Sequence, residues 1–154
     1  VAKKLKDIPT FTKKFWKKLG DETADRIRVH TTKGGKDVNN KTFKPYSTNY
    51  RVRKASGKFK RQSSTSSKVD LQLTGDMMRN LQTRGFSRDN VVIGWRQENA
   101  EKIDWNSKMG RTVTSKQRPV SKGIERFIFK EVDLAIAKNA KEATSKPINL
   151  KIGK

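Results

Sequence analysis

Apolar residues are scarce in this chain, and that scarcity limits its fold more than any motif does. Leu, Ile, Val and Phe together make 33 of 154 residues, against a formal net charge of +22. Such a low apolar share with so high a charge stands close to the composition at which no core forms. One modest core is the most that this length can then build. Long loops, or a fold completed by neighbouring subunits, are expected with it, in a single domain spanning residues 1–154.

The charge excess is general. Residues 1–60 hold 18 Lys and Arg against 5 Asp and Glu, and residues 61–154 hold 19 against 10. Charge of this size calls for an anionic partner, nucleic acid first, or for acidic protein neighbours, although a basic surface also keeps a small protein soluble. There is no cysteine, hence no disulfide and no thiolate chemistry. No apolar run approaches the roughly 18 residues that span a bilayer, so no membrane partner is expected. The N-terminus is basic without a following apolar stretch, unlike a secretory signal. A start at Val1 fits a removed initiator methionine, and assembly in a cytoplasm is expected.

Residues 1–9 form a basic lead-in ending at Pro9. Thr10 is the expected N-cap of a helix carrying Phe11, Phe15 and Leu19 at i, i+4, i+8, with Lys13, Lys14, Lys17 and Lys18 between them. Ala24 and Ile27 continue the stripe past Gly20, where a kink is allowed, and the helix ends by Gly34. Its lysines fit a membrane surface or nucleic acid; packing Phe11, Phe15 and Leu19 on its own domain is the commoner use of such a pattern. The stretch Lys33–Lys54 then reads as a polar docking loop. Asp37 to Lys41 favours a turn, Phe43, Tyr46 and Tyr50 are aromatic anchors, and Pro45 keeps Lys44 extended. Residues 55–68, with Lys58, Lys60 and Arg61, form a flexible Ser-rich loop, either an arm that orders on contact or a connector.

Beyond it, Leu71 and Leu73 alternate with polar residues, and Thr74-Gly75-Asp76 marks a helix start or tight turn. Strands at about 79–84 and 90–95 predict an antiparallel hairpin. Glu98 to Met109 predicts a helix with Ala100, Ile103 and Trp105 on or beside its buried face, closed by Gly110. A basic loop covers 111–122, with Arg111, Lys116 and Arg118. Arg126 to Phe129 reads as a strand. Val132, Ile136, Ala140 and Ala143 keep helical spacing, giving a C-terminal helix near 130–143 and a tail at 144–154 that could add a strand to a neighbour.

No catalytic constellation emerges. His30 has neither a cysteine nor a second histidine to share a metal and reads as a helix-end residue. Gly34-Gly35-Lys36 lacks the spacing of a phosphate loop. Asp21, Glu22 and Asp25 are the one dense acidic group that a nuclease metal could use, on an exposed helical stretch. No enzyme, metal or cofactor is expected. Trp16, Tyr46, Tyr50, Trp95 and Trp105 are candidate interface anchors, with Trp95 and Trp105 better placed in the core by their burial habit.

Several segments together resemble a known family. Gly35-Lys36-Asp37-Val38-Asn39, then Phe43-Lys44-Pro45-Tyr46-Ser47, Tyr50 and Lys54, are similar to a segment of the virion-morphogenesis proteins of tailed bacteriophages, the neck and tail-completion proteins that join head to tail. Leu71-Gln72-Leu73-Thr74-Gly75-Asp76-Met77 resembles their L-x-L-T-G-D-M/L element, and Val91-Val92-Ile93-Gly94 their following strand. Asn99-Ala100 and Ile103 to Asn106, closed by Gly110, occupy the place of an A-x-x-H-x-x-G segment without its usual histidine or glutamine. Arg126-Phe127 stands where an Arg-Pro-Phe-like element precedes the last helix; Arg118-Pro119 is the other candidate. The resemblance covers roughly residues 20–143. It implies an α+β fold, a small antiparallel sheet packed by a long N-terminal and a C-terminal helix. It also implies a homo-oligomeric ring of six or twelve copies in the neck of the virion, between head-connector and tail proteins, around the DNA channel, assembled in the host cytoplasm and without enzyme activity.

The charge divides in this picture. A lumen that conducts DNA should not hold it strongly, so much of the basic surface is expected to face acidic neighbouring rings, with fewer side chains reaching packaged DNA. Lys13, Lys14, Lys17, Lys18, Lys58, Lys60, Arg61, Arg111, Lys116 and Arg118 are the candidates for either contact. The alternative is a free basic nucleic-acid-binding protein. Against it, the chain has no RNP aromatic pair, no GXXG clamp and no zinc knuckle.

Overall fold

The computed structural model describes residues 11–56, 69–71, 75–87 and 89–145. The lead-in, Thr10, the 57–68 segment with Lys58, Lys60 and Arg61, Thr74 and the tail from 146 lie outside them. The first helix, α1, runs Lys13–Thr32. Its N-cap is Thr12, two residues beyond the expected Thr10: the Thr12 hydroxyl accepts the Phe15 N–H at 3.1 Å. The helix runs through Gly20 without a break. That glycine instead lets a hairpin approach, because a Cβ there would stand 2.5 Å from Thr83 Oγ1 and 2.6 Å from Val91 Cγ2. Leu19, Ala24 and Ile27 are buried, whereas Phe11, Phe15 and Trp16 stay half-buried and pack on one another, with ring centroids 4.8–5.3 Å apart.

Past α1 the expected turn forms. Asp37 Oδ1 accepts the N–H groups of Asn39 and Lys41, Asn40 takes a positive φ of 68°, and Lys36 pairs with Thr42 in an isolated bridge. The remainder of the expected loop contains a helix, α2, Thr48–Ala55, whose N-cap Ser47 accepts from the Tyr50 N–H. Its only large aliphatic residue is the exposed Val52, so no apolar stripe announced it. Gly75, at φ 84°, starts a single helical turn, α3, Asp76–Arg79. Here the chain is helical where the first strand was expected to begin. The strands are β1, Gln82–Phe86, and β2, Val91–Gly94, paired antiparallel with an irregularity between Thr83 and Gly85. Both pack on α1.

Helix α4, Gln97–Lys108, turns Asn99 and Ile103 inward. Ala100 and Trp105, expected on or beside the buried face, are exposed, because Asn99 and Ile103 share the inward side at i and i+4. The last helix, α5, runs Lys122–Ser145 without a preceding strand. Arg126 to Phe129 belong to it: Ile124 is buried and Ile128, one turn on, packs against the core, while Arg126 between them is exposed, which fits a helix and not a strand. The expected stripe of Val132, Ile136 and Ala140 is not the buried one, and Ile136 is 49% exposed.

The fold is α+β, with five helices among the described residues and one two-stranded sheet. One core joins α1, the 43–46 segment, Val69 and Leu71, Met78, Leu81, Ile103, Val113 and Ile124. Each fully buried aliphatic side chain contributes roughly 1.5–3 kcal/mol. The 111–122 segment is therefore not only a basic loop, since Val113 sits in that core. Arginines tie loops to helices where apolar contact is thin. From α1, Arg28 donates to the carbonyls of Met78 at 3.1 Å and Leu81 at 3.0 Å, and also pairs with Asp25.

Candidate functional site: the Tyr46 cleft and the basic surface

The 43–56 segment, the turn before α3, and α4 with the residues after it meet around Tyr46. Pro45 precludes helix at Lys44 and turns the chain inward, which sets Phe43 and Tyr46 in the core. Tyr46 Oη accepts the N–H of Leu71 at 3.0 Å, and its ring lies 4.7 Å from that of Tyr50. Two cations approach the same ring, Arg111 at 4.9 Å and Lys54 at 5.1 Å from the centroid. The Arg111 guanidinium spans back to the carbonyls of Lys44 and Pro45, each at 2.9 Å. Lys54 Nζ reaches Asp70 Oδ1 at 2.6 Å, with both side chains removed from solvent. A pair so buried gains little net stability, but losing one partner removes the charge that balances the other.

Electrostatics follow from this packing. Burial, then the negative Asp70, push the Tyr46 hydroxyl well above the ordinary phenol range, and burial raises Tyr50 too. Tyr46 therefore stays protonated at neutral pH and serves as a hub, not as a base. Leu71, across from it, holds φ 54°, a left-handed conformation that costs roughly 1–2 kcal/mol in an L-residue.

Above this floor opens a cleft of about 430 Å³, whose lining includes Tyr50, Leu71, Met77, Lys102, Trp105 and Met109. Trp105 is 61% and Met109 44% exposed at its mouth. Among the expected anchors, Tyr46, Tyr50, Gly75 and Asp76 converge here. Phe43 is core, Lys36 and Asp37 belong to the turn beyond, and Gly94 ends β2, its carbonyl accepting from Arg84 at 3.2 Å. Arg126 and Phe127 lie on α5, Phe127 beneath the Arg26 guanidinium at 3.7 Å. Trp95 packs on the core and donates its indole N–H to the Met77 carbonyl at 2.9 Å.

Lys54 belongs to the phage-like segment, but nothing in the sequence marks it and Asp70 as a buried pair, nor α2, which presents Lys54. A Ser47 cap before Tyr50 was the available signal. Arg111 was expected to face a partner; it is buried, because its guanidinium satisfies two loop carbonyls. Arg118 is half-buried and donates to Asn39 Oδ1 at 3.0 Å. Lys116 is exposed, as are Lys13, Lys14, Lys17 and Lys18, although Lys17 bridges Asp21 at 2.7 Å and Lys18 reaches Glu22 at 3.7 Å.

The acidic group on α1 is thus engaged by its neighbours. The hydrogen bond from Lys17 holds the Asp21 carboxyl below its usual value; partial burial opposes it and Thr83 assists. His30 caps the turn, its Nε2 meeting the Asp37 carbonyl at 2.9 Å. Among the described residues, no three His, Cys, Asp or Glu side chains stand together as a metal site would require, and no helix is long and apolar enough to cross a membrane. Compared with known proteins, the chain matches no family model, no curated protein and no solved structure.

Proposed function

We propose that this chain is a structural subunit of a tailed-phage virion, forming a ring in the neck that joins the head connector to the tail around the DNA channel. It works there by contact and not by catalysis. One observation carries the reading: the apolar residues it can least spare are left uncovered on its longest helix. Phe129 is 61%, Leu134 55% and Ile136 49% exposed on α5. A chain this poor in apolar residues exposes them where neighbouring subunits cover them. The order of the phage-like segments along the chain supports the same reading, as does the agreement between the α+β fold and the one that the resemblance implies.

The exposed lysines of α1 and Lys116 then face acidic neighbours, with a minority reaching DNA. Specific antibody labelling of purified phage particles, imaged by electron microscopy, tests the proposal. Label at the head–tail junction is the expected result. Particles without label, for an antibody that recognises the denatured chain, overturn it and leave a free nucleic-acid-binding protein as the reading of the charge.

A further inference from the structure

We infer that the cleft above Tyr46 is a docking site for an acidic peptide segment carrying one apolar anchor side chain. Its volume, about 430 Å³, lies within the range of built ligand cavities, roughly 300–1,000 Å³. Its walls are Tyr50, Leu71 and Met77, and its mouth is formed by Trp105 and Met109, both open to water. Aromatic residues and methionine are the residues that interface cores favour.

The floor is fixed before any ligand arrives. Tyr46 is held by the Leu71 N–H, Arg111 by two carbonyls, and Lys54 by Asp70. A prearranged floor lowers the ordering cost of binding. The left-handed Leu71 adds to this picture, since backbone strain is maintained where a site's shape requires it.

Charge decides the occupant. Asp76, the carboxylate of the lining, is bridged to Arg79. Lys102 is exposed, one of its donors engaged by Asn99 Oδ1 at 3.1 Å, and the buried Arg111 adds its positive charge from the floor. The +22 chain draws acidic chains toward this mouth and repels basic ones. Nucleic acid suits the cleft less well. The Tyr46 face is already occupied by Tyr50 and two cations, so Trp105 alone would offer a base an open ring, beside a single exposed lysine of the lining. A second copy of this chain would bring its own basic surface against Lys102.

Selection from a displayed library of short random peptides tests the site, with the wild-type chain as bait. The expected winners carry a Leu, Phe, Trp or Met flanked by Asp and Glu. The best of them, synthesised and titrated by Trp fluorescence, should bind Met109→Glu roughly tenfold more weakly, although that exposed variant melts as the wild type does. Lys102→Glu should lose the acidic flank from its own selected peptides and retain the anchor.

Winners without acidic residues, winners that bind both variants undiminished, or no enrichment at all would overturn the inference. So would single-stranded oligonucleotide binding that Met109→Glu abolishes, which puts nucleic acid in the cleft. A self-association that Met109→Glu dissolves in sedimentation would put a second copy there and overturn it equally. None of these outcomes bears on the neck reading, which is decided by the labelled particles.

Discussion

Around Tyr46 the chain buries two cations and a carboxylate, while along α5 it leaves Phe129, Leu134 and Ile136 in water. The usual placement of polar and apolar groups is inverted between these two regions. At the hub, guanidinium, ammonium and phenol groups tie together segments that have few apolar side chains to offer. On α5, five Lys and Arg face four Asp and Glu, so this helix is nearly neutral in a chain of +22. It is thus an element on which large apolar side chains can meet a neighbour with little repulsion. Where apolar residues are scarce, basic residues hold the chain together and apolar ones are freed for contact.

Breaking the hub should have the largest effect. Lys54→Met leaves Asp70 buried beside Tyr46, and a stability loss of about 3–5 kcal/mol is expected in denaturant unfolding. Adding Asp70→Leu should recover most of it; a double variant as unstable as the single one would show that the hub depends on charge itself. Arg111→Ala removes two charge-assisted bonds to loop carbonyls and should cost about 2–3 kcal/mol by the same measurement. If it costs less than Phe129→Ser, the contrast between the two regions fails.

Gly20→Ala tests the contact between α1 and the hairpin. Overpacking against Thr83 and Val91, both stiff at their branched Cβ, costs about 1–3 kcal/mol, and better helix propensity returns up to about 1. A net loss near 1–2 kcal/mol in thermal melts is expected, and a gain would show that the hairpin yields.

On the other region the same measurements should move little. Phe129→Ser and Ile136→Ser are expected to change isolated-chain stability by no more than about 0.5 kcal/mol, yet, under the proposed neck role, to abolish incorporation into particles, read by immunoblot of purified virions. Thr23→Val should have the smallest effect. The Thr23 hydroxyl is buried without a hydrogen-bond partner among the described residues, so its replacement by a methyl group should be neutral or stabilising by up to about 1 kcal/mol.

These contrasts also mark what the sequence could say. Strong local signals sufficed for α1, for the Asp37 turn, for the hairpin around Ser87–Asn90 and for α4 closed by Gly110. Their determinants lie within a few residues of one another. The strand expected at Arg126–Phe129 failed because so short an apolar run reads equally as part of a buried helix, and only its continuation through residues 122–145 decides. Gly20 looked like a breaker because its reason, Thr83 and Val91, lies more than sixty residues away. The cleft was half legible. Tyr46 and Tyr50 stood out as aromatics in a polar stretch, but nothing near Lys54 or Arg111 distinguishes a buried cation from the many exposed ones. Their partners, Asp70 and the 44–45 carbonyls, are fixed only by the tertiary fold.

The Arg111 clamp has a consequence in time. Its guanidinium bonds residues 66 and 67 positions earlier in the chain. Closing so long a loop carries an entropy cost that local turns avoid, and contacts of this span slow folding. During synthesis at about 5–20 residues per second, Arg111 is added roughly 3–13 seconds after Tyr46. Helix α1 and the hairpin are complete within that interval, whereas the hub is not. A nascent chain therefore carries Tyr46 without its Arg111 clamp for seconds, and the cleft is completed after α1 and the hairpin and before α5.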